Sequence, residues 1–480
     1  MHETPETRRD RSSRAHSSTA ADRQPWTILI LLAVAQFMVI LDITVVNVAL
    51  PSIGRELGFA AGDLQWVVTT YVLFTGGLLL LGGRMADLLG RRPVFLAGLT
   101  IFSAASLASG LAPTPGALIA SRAAQGLGAA MLSPAALSII TTSYGGAQRT
   151  TALSAWGAIG AGGAAAGVLL GGILTTWLSW EWIFFVNVPI GLVTAILAVR
   201  LVPAARAGAG SIRELDLPGA VSVISGLVLL VYAIEGTTSH GWGSARTLAL
   251  LAAAGGLLTT FAAIERHATR PLVPTATWQV RSLVSSAAVM LGATGILVGT
   301  FFLNSLYLQN VLGASALETG LAFLPLVVVI GIAAHAGPHL LTRLGARRVV
   351  VGGLALIASG YVLLSGAPTD ADYAADLLPG FLLIGFGVGL TFVSISVTAM
   401  SEIDDERAGL ASGLMTTAHE LGGAFGVSIF SAVALGASEF ADGYGDGALA
   451  GGLIAATLAV IAAVTVPTFR PATAQQAAVH

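Results

Sequence analysis

The sequence predicts an all-α integral membrane protein of fourteen transmembrane helices, arranged as two six-helix bundles with two central helices inserted between them. Three observations carry this. Of 480 residues, 55% are hydrophobic and 10% charged, with a mean hydropathy of +0.83, where a soluble domain carries about a quarter charged residues. Apolar runs of about 20 residues, enough to cross a hydrocarbon core of about 30 Å, recur fourteen times along the chain. The chain also resembles itself: a shift of 255 residues lays GRRPVFLAGL (90–99) over GARRVVVGGL (345–354), pairing Gly90 with Gly345, Arg92 with Arg347, Gly98 with Gly353 and Leu99 with Leu354. Two repeated bundles leave this kind of trace.

Residues 1–25 are polar, rich in Ser and Arg and without apolar periodicity, and read as a disordered tail. The first apolar run is too long for a signal peptide and holds an acid, so it is expected to remain in the chain. Runs at 27–50, 65–84, 93–112, 116–140, 149–173 and 182–202 make the first bundle, 26–203. Runs at 217–235 and 246–266 lie in an insertion with linkers, 204–282. Runs at 283–306, 317–342, 347–366, 376–400, 406–438 and 447–468 make the second bundle, 283–468, before a tail at 469–480. All the basic residues counted as Lys+Arg are arginine, and with the N-terminus inside, every one except Arg55, Arg122 and Arg246 falls on the cytoplasmic side. Both tails are then cytoplasmic.

Composition also excludes classes. A net charge of -2 speaks against a nucleic-acid partner, and the absence of cysteine removes disulfides and thiolate chemistry. No His and carboxylate spacing suits a metal, no P-loop marks ATP as the direct driver, and no nucleophile and base cluster as an enzyme would require.

The segment GGRMADLLGRR (82–92) sets a charge cluster between two apolar runs. A tight connection needs Gly for the turn and Arg for the positive-inside bias, which accounts for Gly90, Arg91 and Arg92. Asp87 falls opposite Thr342 in the second repeat, so the loop itself does not need an acid. Asp87 can pair with Arg91, or with the positive N-terminal end of a neighbouring helix, in a contact made in one conformation and broken in another. Plain surface solvation is the alternative.

Two ionisable residues stand within the first bundle's runs. Asp42 shares its run with Gln36, Thr44 and Asn47 on other sides, so that run cannot rest a broad face on lipid. Arg122 is placed about 9 Å, and Asp42 about 12 Å, from the same surface at 1.5 Å per residue. An acid and a guanidinium at one depth can pair, and an ionisable group inside a membrane suggests function by default; a structural pair is the bland reading. Glu420, in TTAHELGGAFG, is a second candidate acid, and His419 and His335 are weaker ones. Gly163, Gly167 and Gly171, at four-residue spacing, smooth one ridge for close helix approach.

The combination of GRMADLLGRR with LDITVVNVALP (41–51), LIASRAAQGLGAA (118–130), the Gly-rich run Gly157–Gly172, SWEWIFFVNVPIG (179–191) and ELDLPG (214–219) resembles the major facilitator superfamily, in its 14-helix drug:proton antiporter branch. The resemblance spans about residues 27–470. It implies a major facilitator fold whose bundles rock against each other, with incoming protons exchanged for outgoing hydrophobic or amphipathic compounds. It implicates Arg122 in proton coupling with Asp42. It places Gly83, Asp87, Gly90, Arg91 and Arg92 in a cytoplasmic latch, partnered by Arg407 and its helix end in DDERAGLASGL. Gly172 joins the packing ridge. Two positions depart from the pattern: Glu420 stands where related chains more often carry Gln, and Val168 where a Pro usually follows the middle Gly. The implied partners are an amphipathic small molecule, protons and the lipid bilayer of the cell membrane, for a chain working as a monomer without a cofactor. A proton-coupled uptake carrier, or an exporter dedicated to one endogenous antibiotic, remains the rival reading.

Overall fold

A computed structural model of the chain describes residues 5–60, 62–203, 215–268, 271–404, 407–437 and 440–468, the side chains of residues 5–25 and of a few other positions aside. The tail expected over 469–480 and most of the linker after residue 203 lie outside the described residues, as do residues 1–4 and the side chains of the tail expected over 1–25.

Fourteen long helices appear among the described residues, in the expected order. They are α1 (Pro5–Leu57, apolar from Trp26), α2 (Trp66–Leu89), α3 (Arg91–Gly110), α4 (Pro115–Ser143), α5 (Gly146–Trp177), α6 (Trp182–Leu201, interrupted at Val186), α7 (Leu217–His240), α8 (Ala245–His267), α9 (Arg281–Leu306), α10 (Ala316–Leu344), α11 (Ala346–Leu364), α12 (Leu378–Met400), α13 (Ala408–Ala434) and α14 (Phe440–Thr465). Thirteen are long and apolar enough to cross a membrane by composition alone; α13, diluted by Gly, Thr, His419 and Glu420, is the other. Helix α14 begins earlier than the expected 447 because its DGYGDG glycines serve as packing surface rather than turns: Gly443 lies on the Ala434 carbonyl and Gly447 on the Leu303 side chain.

The repeat is visible in the packing. Gly90 and Gly345 both adopt positive φ, 96° and 84°, at the two equivalent turns, a conformation that favours glycine. Arg92 and Arg347 each donate to a carbonyl near the end of their own bundle's last helix, Val199 and Val466. Gly126 abuts the carbonyl of Tyr71, and Gly385 that of Leu326, residues 255 apart. Gly128 and Gly387 abut the carbonyls of Gly98 and Gly353 in the same way.

Helices α2 and α13, and α5 and α10, form the main seams between the halves, with α1 against α9. Among the described residues the hydrogen bonds that cross between the halves are Ser305 Oγ to the Asn47 carbonyl (2.7 Å), Gln309 Nε2 to the Val48 carbonyl (2.9 Å) and the Leu317 amide to Thr176 Oγ1 (3.1 Å). All three lie on the face opposite the arginine-rich loops, so this is a conformation closed on that face. Of the inserted pair, α7 packs on α2 and α13, while α8 packs on α7 and is otherwise exposed.

Candidate functional site

Helix α5 sets the position of Asp42 by pressing its glycine ridge onto α1. A Cβ at Gly163 would stand 3.0 Å from Ile40, one at Gly171 2.9 Å from the Val45 carbonyl, and one at Gly167 would overlap the Thr44 hydroxyl. Gly172 faces the other way and meets the Ala316 carbonyl of α10 at 2.8 Å. Val168, in the place of the usual Pro, leaves α5 an uninterrupted helix and puts its own carbonyl against Gly320. One ridge therefore serves the interior of the first bundle and its contact with the second.

Asp42 and Arg122, 80 residues apart, meet in an ion pair in which both side chains are fully buried. It is the one carboxylate–cation pair within salt-bridge distance among the described residues. Four helices complete its shell. From α4, Gln125 Nε2 donates to Asp42 Oδ1 (2.7 Å) while Gln125 Oε1 accepts from Arg122 Nη1 (2.7 Å), so one amide holds both members. From α6, Asn187 Nδ2 donates to Asp42 Oδ1 (3.2 Å) and to Ser106 Oγ of α3 (3.0 Å). From α2, the Val67 carbonyl accepts from Arg122 Nε (2.8 Å), and the Tyr71 ring lies 4.2 Å from the guanidinium carbon. Arg122 Nη2 and Asn187 Oδ1 are buried without a partner. Breaking such a pair by removing one member leaves an uncompensated buried charge, a loss of about 3–5 kcal/mol; the surrounding donors and acceptors offset part of the cost of burying it intact.

The other polar residues of α1 are also taken up inside the protein. Gln36 Oε1 accepts from Ser133 of α4 (2.9 Å), Asn47 Nδ2 donates to the Ile43 carbonyl (2.8 Å), and Thr44 faces Gly167. Glu420 stands elsewhere, half-buried on the α2–α13 seam, where a Cβ at Gly76 would come within 2.7 Å of its own. His419 next to it bonds Thr294 Oγ1 (3.0 Å). His335 is exposed.

The latch residues are placed but not joined. Asp87 is exposed and has no hydrogen-bond or ion-pair partner among the described residues, and neither has the side chain of Arg407, at the N-cap of α13. Arg91 donates to Thr142 Oγ1 of α4 (2.9 Å), and Arg92 is held by Val199. Gly83 faces Pro134 with room to spare, 3.7 Å from a would-be Cβ. Asp87 is thus paired with neither Arg91 nor Arg407 in this conformation.

The repeat register sharpens what is special about the first bundle. Asp42 falls opposite Leu297 and Ser106 opposite Tyr361, while the Gly126–Gly385 match sets Arg122 against Phe381 and Gln125 against Ile384. The equivalent place in the second half is filled by apolar and aromatic packing around Tyr361, whose hydroxyl bonds Thr300 (2.6 Å). Gln125, Asn187, Ser106 and Tyr71 escaped the sequence reading as members of the site. Gln125 and Asn187 carried a signal, an amide inside the quoted motifs, whereas Ser106 and Tyr71 lie outside those motifs.

The sequence matches the family model described as Major Facilitator Superfamily over residues 32–427. It is 41% identical over 430 residues to the cephamycin export protein CmcT of Amycolatopsis lactamdurans, covering 88% of each chain. It is 41% identical over 422 residues to the puromycin resistance protein pur8 of Streptomyces alboniger, covering 87% of this chain and 83% of that one. Among solved structures it is similar in fold to the POT family transporter PepTSo (TM-score 0.68, 15% identity, 92% of this chain and 97% of that one). It is also similar to an inward-open structure of the xylose transporter XylE from E. coli (TM-score 0.63, 15% identity, 95% and 99%). By its motifs, its fourteen helices and these matches, the chain belongs to the major facilitator superfamily of membrane transporters.

Proposed function

We propose that this transporter exports hydrophobic or amphipathic drugs or antibiotics in exchange for protons, by alternating access, with the proton gradient as its energy source. The observation that carries the reading is the fully buried Asp42–Arg122 pair, bridged by Gln125, in one half of an otherwise repeated structure. Protonation would neutralise Asp42 and turn its carboxyl into a donor. Gln125 would then present Oε1 to it instead of Nε2, and that rotation takes an acceptor away from Arg122. One proton therefore costs Arg122 the charge of its partner and the Gln125 acceptor, leaving it only the neutral Asp42 Oδ2 carbonyl in their place, and the loosened guanidinium and its helix are available to shift. Relatives named for cephamycin export and for puromycin resistance support outward transport of antibiotics.

The arginine distribution supports cytoplasmic termini and loops in a cell-membrane protein, and the proposed transporter acts as a monomer. On that orientation the structure is closed outside, and an unmade Asp87–Arg407 latch fits an inward-facing state. Glu420, on the moving seam, is a second proton site or a substrate contact. A narrow range, down to one endogenous antibiotic, is the second reading, since these relatives' names each carry a single compound. A susceptibility panel in a pump-deficient bacterial host, with and without a protonophore, tests the proposal. Raised tolerance to several amphipathic compounds, lost with the protonophore, is the expected result. Unchanged tolerance to all of them, or accumulation of a metabolite into the cells, overturns export.

A further inference from the structure

The inserted helices carry a polar cavity that the coupling site does not use. It has a volume of about 310 Å³ and lies on the face opposite the arginine-rich loops. Gly62 and Asp63 of the α1–α2 loop, Tyr232, Glu235 and His240 of α7, and Arg246 of α8 shape it. One guanidinium and two carboxyls line it. Arg246 is exposed and anchored, Nη2 donating to Tyr232 Oη (2.7 Å) and Nη1 meeting His240 Nε2 (2.9 Å), with the guanidinium carbon 5.7 Å from the Tyr232 ring. Among the described residues it has no carboxylate within ion-pair distance. Glu235, lining the same cavity, is buried to 9% exposure. Gly62 lies against it: a Cβ there would stand 3.8 Å from Glu235 Oε1. Asp63 adds a second carboxyl at the rim.

A guanidinium and carboxyls that share one cavity without touching are complementary to a ligand carrying both signs. A fixed Arg fork suits an oxyanion, phosphate above all, and a carboxylate near the membrane boundary favours a cation. The surroundings point to a lipid. Helix α8 rests on α7 alone, and Trp242 (63% exposed) and Leu248 (54% exposed) stand beside the cavity; tryptophan favours the headgroup level of a bilayer.

We propose that this cavity binds a phosphoethanolamine group, its phosphate on Arg246 and its ammonium toward Glu235 and Asp63, supplied by phosphatidylethanolamine. Assignment to the outer leaflet rests on the orientation proposed above; the binding does not. Such a lipid would brace the inserted pair against the start of α2, where Trp66 already packs against Tyr232 at 6.3 Å between centroids.

Native mass spectrometry of the full-length protein, titrated with phosphatidylethanolamine or phosphatidylglycerol, tests this, with soluble O-phosphoethanolamine as competitor. Phosphatidylethanolamine should be retained at least about tenfold better than phosphatidylglycerol, and Arg246→Gln on the exposed rim should remove that preference. Glu235→Gln should do the same, and Leu250→Trp, which fills the cavity, covers the case in which Glu235→Gln does not fold. If O-phosphoethanolamine binds as well as the diacyl lipid and Arg246→Gln abolishes both, the group is right and its source is water-soluble. Equal retention of both lipids in wild type, unchanged in Arg246→Gln and Leu250→Trp, overturns the proposal. Because no transport is measured, that failure leaves the export reading untouched.

Discussion

Gln125 is the residue on which the coupling geometry turns, because its amide reads the protonation state of Asp42 on one edge and holds Arg122 on the other. Gln125→Leu keeps the volume and removes both bonds. Hydrogen bonds to charged groups are worth about 1.5–3 kcal/mol each, so the initial rate of export at saturating substrate should fall about tenfold or more while membrane insertion is unchanged. Wild-type rates in that variant would leave the amide a bystander. Asp42 and Arg122 were legible in the sequence because ionisable residues in apolar runs are few and costly, and their matching depth gave the pairing. Gln125, Asn187 and Ser106 were not, because amides and hydroxyls are common in such runs and which of them converge depends on how four helices are rotated. Glu235 was passed over for a different reason: it sits at the end of its run, where an acid looks like a solvated margin.

At the scale of elements, the proposed mechanism assigns motion to two devices: the α5 ridge and the loop between α2 and α3. The ridge was legible from glycine spacing alone, but its division of labour was not. Gly163, Gly167 and Gly171 face α1 whereas Gly172 faces α10, and one residue's turn of a helix separates the two roles. The loop was legible as a turn, and the positive φ of Gly90 and Gly345 explains why glycine stands at both. The start of α14 was misread because glycines that pack look like glycines that turn. Asp87, unpaired here, is expected to find its partner in the opposite conformation. Asp87→Asn should therefore lower turnover about tenfold, a population shift of about 1.4 kcal/mol, with substrate affinity little changed. Thr342→Asp should not rescue it, since the second repeat offers no facing partner. Steady-state export kinetics and equilibrium substrate binding, measured on the same preparations, separate the two; equal turnover in wild type and Asp87→Asn would reduce Asp87 to a solvated loop residue.

The whole molecule is a repeated fold with an unrepeated charge. Both halves keep the same glycine contacts, yet the place of Asp42, Arg122 and Gln125 is taken in the second half by Leu297, Phe381 and Ile384, so on the proposed mechanism the ion-pair proton site belongs to one bundle and the other moves against it. With Asp42 neutralised by Arg122, Glu420 on the seam is, among the described residues, the acid left to meet a substrate in the central region on the proposed mechanism. Neutral or monocationic amphipathic compounds should accordingly be exported better than dications of similar size, and efflux of matched monovalent and divalent dyes checks this; preference for the divalent member would mean that another acid faces the substrate. The most direct measurement of the central claim uses wild type and Asp42→Asn reconstituted in liposomes. Asparagine keeps an acceptor for Arg122 but cannot carry the proton. An imposed pH gradient should drive substrate accumulation by wild type, while Asp42→Asn exchanges substrate for substrate without accumulating it. Gradient-driven accumulation by Asp42→Asn equal to that of wild type would contradict the account.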